Sequence, residues 1–351
     1  MTTTGMKPKN RSAQGVLAWS RGLVDPALRA AIGTLPSSML HIAGYHFGWW
    51  DTHGHPEQAP GTRTTRGKAI RPTLTLLSAL AVGGVPAAAV PAATAVELAH
   101  NFSLVHDDVI DADLTRRHRP TAWSVFGVNA AILAGDALLV LALDVLARSG
   151  HPAAMDGIRM LSATVQDLVE GQSADVSFEE RAKVELAECV GMAQRKTAAL
   201  LGCACAIGAA FGGAHPEQVA HLRGFGMHLG VAFQHVDDLL GIWGDPIVTG
   251  KPVHSDLRSR KKSLPVVAAL TSQTPAGRDL AGLYHRDQPL SEADLAHAAE
   301  LIDIAGGRAW SQAQADELLA QAMRELQCAS PAPQAAAELG ALAQLVTHRD
   351  H

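Results

Sequence analysis

Long stretches of small and branched apolar residues, bounded by Pro or Gly, restrict the fold of this sequence more than any other feature. Residues 130–146 and 198–214 show this pattern, and 72–84 begins with Pro and ends on a Gly pair. Pro in the first turn and Gly after the last turn delimit helices. Aromatic residues make up only 4% of the chain, and no segment shows strand alternation between hairpin turns. The sequence therefore predicts an all-α protein of long helices.

Charge and cysteine content exclude several other classes of protein. The formal net charge of the 351 residues is −5, so we expect no nucleic-acid partner. The four cysteines include no CxxC pair, which favours a reducing cytoplasm over a disulfide framework. Residues 1–15 lack the apolar stretch of a signal peptide, and 198–214 is too short and too rich in Gly and Ala to span a membrane. We therefore predict a cytoplasmic protein without an integral membrane segment.

The domain organisation follows from where the helical patterns begin. Residues 1–58 read as a helical or irregular extension with a His- and Trp-rich patch at 41–58. From residue 59 onwards, helical patterns follow one another without a linker strong enough to divide them. We predict one all-α domain at 59–351, with the extension packed on its helices.

The sharpest chemical feature is HDDVID, residues 106–111, at the end of an apolar helical pattern. Residues four apart share a helix face, so Asp107 and Asp111 project together. The two carboxylates repel, and the helix dipole also disfavours them at a C-terminus. A divalent cation such as Mg²⁺ relieves both effects, although a solvated acidic helix end is the alternative interpretation.

A second acidic pair, Asp237 and Asp238, also ends an apolar helical stretch, and basic residues follow both pairs. The basic residues are Arg116, Arg117 and Arg119 after the first pair, and Lys251, Arg258, Arg260, Lys261 and Lys262 after the second. Carboxylates beside Arg and Lys indicate a metal-bridged polyanion, because Mg²⁺ commonly lies between carboxylates and substrate phosphates. A third basic cluster, with Lys68 and Arg71, leaves room for a second phosphate-bearing substrate.

On these segments the chain resembles the trans-type polyprenyl diphosphate synthases, the family of farnesyl and geranylgeranyl diphosphate synthases. The resemblance runs from about residue 60 to the C-terminus, with the motifs in the family's order. The matching segments are GKAIRP (67–72), ELAHNFSLVHDDVID (97–111), RRHRPT (116–121), AGDALL (134–139), EGQSAD (170–175), KT (196–197), FQHVDD (233–238) and GKPVHSDLRSRKKSLP (250–265).

The resemblance implies a bundle of long antiparallel helices around a deep central cavity, assembled as a homodimer. It implies head-to-tail condensation of isopentenyl diphosphate with an allylic diphosphate, which is dimethylallyl, geranyl or farnesyl diphosphate. Mg²⁺, as three ions when diphosphate is bound, would be the cofactor. The metal ligands would be Asp107, Asp111 and Asp237, with Asp108 and Asp238 supporting them directly or indirectly.

The resemblance also assigns the substrate contacts. Lys196, Thr197, Gln234, Asp107 and Asp237 would be the catalytic set, with Thr197 and Gln234 near the reacting carbons. The allylic diphosphate would be neutralised by Arg116, Lys196, Lys251 and Lys261. Isopentenyl diphosphate would be held by Lys68, Arg71, His100 and Arg117. His100 lies seven residues before Asp107, two helical turns along the same face, which fits a diphosphate ligand one layer from the metals.

One motif departs from the family pattern. The second acidic motif reads DDLLG, with Gly241 where the family usually has a third Asp, and Asp245 follows one turn later. The departure leaves open a noncatalytic or partner-dependent subunit. A class I terpene cyclase is the other alternative, but cyclases lack an isopentenyl diphosphate site, and Lys68, Arg71 and His100 are present here.

Product length depends on residues just before the first acidic motif. Phe102 and Ser103 lie five and four residues before Asp107, and the motif has no insertion. A single aromatic there resembles synthases that stop at twenty carbons, so we expect geranylgeranyl diphosphate. A farnesyl product remains the alternative, because Phe102 could lie higher in the cavity than this interpretation assumes.

Overall fold

The computed structural model describes residues 10–56, 67–246, 252–286 and 288–348, which are almost entirely helical. The first helices are α1 (Ala13–Ile32), α2 (Ser37–His46), α3 (Ile70–Ala81), α4 (Pro86–Ile110), α5 (Ala122–Phe126), α6 (Val128–Arg148), α7 (Ala154–Glu180), α8 (Leu186–Ala193), α9 (Ala199–Phe211) and α10 (Pro216–Trp243). They are followed by α11 (Ser255–Arg258), α12 (Leu264–Thr271), α13 (Pro275–Tyr284), α14 (Glu292–Ile304), α15 (Gly307–Cys328) and α16 (Pro333–Thr347). The predicted all-α class is therefore confirmed.

The chain divides into two compact units. Unit 1 contains residues 1–162, 203–222 and 329–341, and unit 2 contains 163–202, 223–328 and 342–351. The first acidic motif belongs to unit 1 and the second belongs to unit 2.

In unit 1, the long helix α4 packs against α3 and α6. The small-residue helix α9 approaches α3 so closely that a Cβ on Gly208 would lie 2.1 Å from the carbonyl oxygen of Thr75. Leu74, Leu98 and Leu138 are completely buried in this unit. The stretch 198–214 is thus a core helix, as the Gly and Ala content predicted.

In unit 2, one apolar cluster joins α11 to α14 around Leu257, Leu280 and Leu295. A second cluster packs Phe178 and Cys189 against residues of α12. Cys189, Cys203 and Cys205 are buried thiols and Cys328 is exposed, which agrees with the absence of a disulfide framework.

The extension contains two regular helices, α1 and α2, and α1 begins where the Ser12 hydroxyl caps the amide of Gly15. Two local sequence patterns predict structure that differs from the observed one. The apolar pattern over 123–149 predicts a single helix, but the chain breaks at Gly127, whose φ of +88° suits glycine. The polar, basic segment 112–120 predicts a loop, but it contains an antiparallel hairpin, β1 (Thr115–Arg116) and β2 (Arg119–Pro120).

Helix α6 is long and apolar enough to cross a membrane, by length and composition alone. The buried share of its most apolar window is 39%. Its apolar residues are therefore only partly buried, and four large ones, Val128, Ile132, Leu133 and Val140, are exposed.

Candidate active site

The first acidic motif lies at the C-terminal end of α4. Asp107 is half-buried, Asp111 is the exposed C-cap residue, and the amide of Asp111 donates to the Asp107 carbonyl oxygen. The helix therefore presents two carboxylates four residues apart at its electronegative end, where only a cation makes them favourable.

The middle residue, Asp108, points the other way. Its side chain is 1% exposed, and its Oδ1 accepts a 2.6 Å hydrogen bond from Nε of Arg116. Burial raises the pKa of Asp108 above its ordinary value, and Arg116 opposes this only in part. Asp108 and Arg116 were both predicted at the metal–diphosphate site. In the structure they form a salt bridge with each other.

A tight turn in the hairpin presents Arg117. Arg117 and His118 have φ of +51° and +63°, a left-handed pair that is unfavourable for residues other than Gly, Asn and Asp. The turn carries the Arg117 guanidinium to Gly67, where a Cβ would lie 2.8 Å from Nη2. Strained residues of this kind concentrate at functional sites. Gly67 of the GKAIRP segment thus leaves space for the side chain of Arg117 from the RRHRPT segment.

Arg71 and His100, both predicted to bind isopentenyl diphosphate, are hydrogen-bonded to each other. Nη1 of Arg71 lies 3.1 Å from Nε2 of His100. Burial, then Arg71 and Arg117, hold the pKa of His100 well below its ordinary value. The ring is therefore neutral, and because Arg71 can only donate, Nε2 accepts and Nδ1 carries the proton.

Three polar residues next to this pair, the buried Asn101 and the partly buried Glu97 and His46, were missed in the sequence. Glu97 is surrounded by Arg71 and Arg117, and burial raises its pKa although both arginines lower it. Nδ2 of Asn101 donates to the carbonyl oxygen of Glu97 at 2.8 Å, and Oδ1 of Asn101 lies 3.1 Å from Nε2 of His46. Glu97, His100 and Asn101 lie on adjacent turns of α4. Their spacing from His100 could therefore have identified Glu97 and Asn101 in the sequence.

The His- and Trp-rich patch supports the hairpin from outside. Arg119 donates to the carbonyl oxygens of Tyr45 and Trp50 and lies over the Tyr45 ring. The Trp50 indole lies where a side chain on Gly44 would clash, with ring atoms 1.9 Å from the Cβ position. The extension thus packs on helices of unit 1 and fixes the strand next to Arg117.

In unit 2, Asp238 is the buried member of the second acidic pair and Asp237 is half-buried. Oδ1 of Asp238 accepts from Nε2 of Gln234 at 2.8 Å, and Oδ2 accepts from the backbone amide of Leu264 at 3.0 Å. Gln234 in turn accepts a 2.6 Å hydrogen bond from the hydroxyl of Thr197. The structure therefore joins three of the predicted residues in one hydrogen-bonded chain.

Lys196 and Thr197 lie in a π-helical turn, Gln194–Ala198. Single π-helical turns occur frequently at functional sites. Nζ of Lys196 lies 2.5 Å from Oδ2 of Asp175. A Cβ on Gly171 would lie 2.4 Å from the backbone nitrogen of Lys196, so only glycine allows this approach. The EGQSAD segment therefore positions Lys196 through Gly171 and Asp175, a role that its residue types alone did not indicate.

Gln172 is a further residue without a predicted role. It is 8% exposed, and among the described residues neither atom of its side-chain amide has a hydrogen-bond partner. Buried amides are nearly always bonded, so Gln172 marks a place for a polar ligand or water.

Lys261 is surrounded by carboxylates. Its Nζ lies 3.5 Å from Oδ1 of Asp238 and 3.9 Å from Oδ2 of Asp256. Burial lowers its pKa, but Asp238, Asp256 and Asp175 together raise it above the ordinary value. Lys261 therefore carries a permanent positive charge at the second acidic motif.

The remaining predicted residues are distributed as follows. Phe102 and Ser103 are buried, Phe102 contacts the His106 ring edge to face at 4.9 Å, and Lys68 is exposed. Lys251 lies outside the described residues.

The comparisons with known proteins agree with this geometry. The sequence profile described as polyprenyl synthetase matches residues 58–302. The chain belongs to the polyprenyl synthetase family. Its resemblance to that family, predicted from eight short segments, is thereby confirmed.

Two relatives in this family come from Mycobacterium tuberculosis. A (2E,6E)-farnesyl diphosphate synthase is 44% identical over 337 residues, which cover 95% of this chain and 92% of the relative. A geranylgeranyl diphosphate synthase is 43% identical over 338 residues, which cover 96% of this chain and 94% of the relative. The chain is thus almost equally similar to a farnesyl and to a geranylgeranyl diphosphate synthase.

Solved structures of the family share the fold. A polyprenyl synthetase from Streptomyces coelicolor has a TM-score of 0.90 and 45% identity, covering 95% of this chain and 99% of its own. A geranylgeranyl pyrophosphate synthase from Corynebacterium glutamicum, complexed with isoprenyl diphosphate and magnesium, has a TM-score of 0.81 and 27% identity, covering 96% and 99%.

The acidic motifs fit the magnesium that polyprenyl synthetases use. In the described parts of the chain, no three His, Cys, Asp or Glu side chains form a metal site on their own. Mg²⁺, however, is usually bound by one or two carboxylates and completed by substrate phosphates and water. Asp107 with Asp111, and Asp237 separately, offer such incomplete oxygen sets.

Proposed function

We propose that this chain condenses isopentenyl diphosphate with an allylic diphosphate, head to tail, to give a short-chain trans-prenyl diphosphate. The observation that carries the proposal is the arrangement along α4. The partly buried cluster of Arg71, His100 and Arg117 lies on this helix and beside it, two turns before Asp107 and Asp111. One helix thus offers a cationic diphosphate site and a metal–diphosphate site, as a reaction between two diphosphates requires.

The residues divide the work by charge. Arg71, His100 and Arg117 hold isopentenyl diphosphate, because forked guanidinium groups match phosphate oxygens and the neutral His100 donates from Nδ1. Lys68 adds a positive charge at the exposed side of this cluster. A lysine on the surface can reach phosphate through its long side chain.

The allylic diphosphate is bound by the acidic motifs through Mg²⁺. Asp107, Asp111 and Asp237 would hold three ions, whose chemistry is to stabilise the departing diphosphate. Asp108 and Asp238 are buried and bonded to protein groups, which supports an indirect role for both. Arg116, Lys196, Lys251 and Lys261 neutralise the same diphosphate.

Thr197 and Gln234 orient the reacting end of the substrate. The Thr197 hydroxyl is committed to Gln234, and Gln234 is committed to Asp238, so both side chains are held in one orientation. Because these side chains are already held in place, less entropy is lost on reaching the transition state. An apolar cavity of the kind that the family resemblance implies would exclude water, which otherwise captures the allylic cation.

For the product we propose geranylgeranyl diphosphate, with farnesyl diphosphate as the alternative. Phe102 is 6% exposed and rests against the His106 ring, so its position is fixed by packing. A fixed aromatic five residues before Asp107 supports a floor that limits tail length.

We also propose that the chain is a cytoplasmic homodimer with one catalytic domain at 59–351. Exposed apolar residues on α6 support the dimer, because such faces usually mark contacts with another protein.

Product analysis tests the proposed function. The protein is incubated with Mg²⁺, isopentenyl diphosphate and, separately, dimethylallyl, geranyl or farnesyl diphosphate, and dephosphorylated products are identified by mass spectrometry. We expect a linear twenty-carbon alcohol from all three primers and longer products from Phe102→Ala. A fifteen-carbon endpoint would retain the reaction and overturn the assigned floor, whereas no elongation from any primer would overturn the reaction.

A further inference from the structure

The second acidic motif lacks a carboxylate at position 241, and the structure shows what occupies that space. Asp237 and Gly241 lie four residues apart on α10, so a side chain at 241 would project from the same face as Asp237. A Cβ built on Gly241 would lie 2.3 Å from Oδ2 and 2.7 Å from Oδ1 of Asp256. The carboxylate of Asp256 therefore fills the volume in which a side chain of residue 241 would begin.

Two backbone contacts fix Asp256 in this position. The amide of His254 donates to the carbonyl oxygen of Ile242 at 3.3 Å, and the hydroxyl of Ser255 donates to the carbonyl oxygen of Gly241 at 3.2 Å. His254 itself has φ of +62°, a left-handed conformation that turns the chain into the short helix α11. Two consecutive residues, one of them in a strained left-handed conformation, therefore hold the segment in a specific position.

The surroundings of Asp256 are those of a charged group. Its side chain is 13% exposed, and its Oδ2 lies 3.9 Å from Nζ of Lys261, which also lies beside Asp238. The hydroxyl of Tyr284 is buried, has no hydrogen-bond partner among the described residues, and interacts electrostatically with Asp256. A buried hydroxyl without a partner, within the electrostatic influence of this carboxylate, indicates a polar ligand or water in this region.

We propose that Asp256 supplies the carboxylate that position 241 lacks and joins Asp237 in holding the divalent cation of the second acidic motif. The inference rests on the proposed function and deepens it, because it gives the third acidic group of this site to a residue fifteen positions along the chain. Gly241 is then required so that Asp256 can reach the site. Asp245, one turn beyond Gly241, is exposed and is not needed.

The first experiment compares Asp256→Asn with Asp245→Asn as the matched control. Calorimetry measures binding of inorganic pyrophosphate in the presence of Mg²⁺, and electron paramagnetic resonance measures Mn²⁺ binding under the same conditions. We expect Asp256→Asn to weaken Mg²⁺-dependent pyrophosphate binding on the order of tenfold or more, as loss of metal-supporting groups does, and Asp245→Asn to stay within about twofold. Equal binding by Asp256→Asn and the unmodified protein would overturn the inference.

The second experiment moves the carboxylate back. Gly241→Asp alone places its Cβ against Asp256, so we expect a lower melting temperature and weak binding. The double variant Gly241→Asp/Asp256→Gly removes the clash and restores one carboxylate on the same helix face. It should bind Mg²⁺-pyrophosphate more tightly than Asp256→Gly alone. A double variant that folds but binds no better than Asp256→Gly would count against the inference. Failure of the unmodified protein to bind Mg²⁺-pyrophosphate would instead overturn the proposed function.

Discussion

Each acidic pair divides its two adjacent carboxylates between solvent and protein. Asp107 and Asp237 are half-buried, whereas Asp108 and Asp238 are at most 2% exposed and bonded to protein groups. Neighbouring residues on a helix point about 100° apart, so one member of each pair must face away from the ligand. The inward carboxylate anchors the segment that follows the helix, and the outward one remains for a cation.

Asp107→Asn should therefore abolish turnover without destabilising the protein. The change removes one negative charge from a half-buried position at a helix C-terminus, where the dipole already disfavours it. We expect the rate to fall on the order of a hundredfold or more, with an unchanged or slightly higher melting temperature. Turnover is measured by incorporation of isopentenyl diphosphate.

Asp113→Asn is the matched control for this change, because Asp113 lies just beyond the motif and is held through its backbone amide and carbonyl oxygen. It should keep both activity and stability. Full activity in Asp107→Asn would contradict the metal assignment.

Buried histidine predicts how stability changes with pH. His235 is 1% exposed, its Nδ1 lies 2.8 Å from the Ser311 hydroxyl, and burial lowers its pKa to about 4 although Asp238 raises it. An unfolded chain protonates the ring near pH 6.5, so the folded state loses stability as pH falls from about 6.5 towards 4.

Between pH 7.5 and pH 5 this group should cost about 2 kcal/mol of unfolding free energy. Urea denaturation of the unmodified protein and of His235→Asn at both pH values measures the difference. The variant should be less stable at pH 7.5 and should lose about 2 kcal/mol less on acidification. An identical loss in both proteins would show that His235 is not buried in its neutral form.

At the scale of the element, the π-helical turn at Gln194–Ala198 depends on one glycine of α7. Gly171→Ala would place a Cβ 2.4 Å from the Lys196 backbone nitrogen and so displace the turn that carries Lys196 and Thr197. We expect kcat to fall at least about tenfold, because small displacements at a reacting centre are costly.

Gly191→Ala in the neighbouring helix α8 is the control, since a Cβ there meets nothing within 4 Å. It should leave kcat unchanged and gain up to about 1 kcal/mol from helix propensity. Steady-state kinetics and thermal unfolding of both variants test the prediction. Equal kcat in Gly171→Ala and the unmodified protein would mean that the turn plays no part in catalysis.

Elements with a strong local period were predictable, and elements decided by distant contacts were not. The end of α4 and its carboxylates followed from the four-residue spacing, although the helix begins at Pro86 and not at Pro91, where the sequence pattern placed its start. The hairpin at 115–120 was missed because its turn uses Arg117 and His118, where turn chemistry would place Asn or Gly. The role of Gly241 was also missed, because its meaning depends on Asp256, which a helical period along α10 cannot reveal.

At the scale of the whole molecule, the sequence predicted the family's fold and chemistry because its motifs are short and rich in charged residues. The exposure of the apolar face of α6 could not be predicted from such motifs. An apolar helix of 21 residues reads as core or membrane span from sequence alone, yet Leu133 and Val140 are 56% and 67% exposed. These two residues are seven apart and so share one face, with Asp136 between them.

The proposed homodimer predicts that this face is covered by a second copy of the chain. Leu133→Glu places a charge on the face and should convert the dimer to a monomer, because an unpaired charge is costly at an apolar contact. Light scattering coupled to size-exclusion chromatography gives the mass. We expect the unmodified protein to have twice the mass of one chain and Leu133→Glu to have the mass of one chain. Val85→Glu, at a residue 66% exposed before α4, should remain dimeric. A dimer that survives Leu133→Glu would place the contact elsewhere on the molecule.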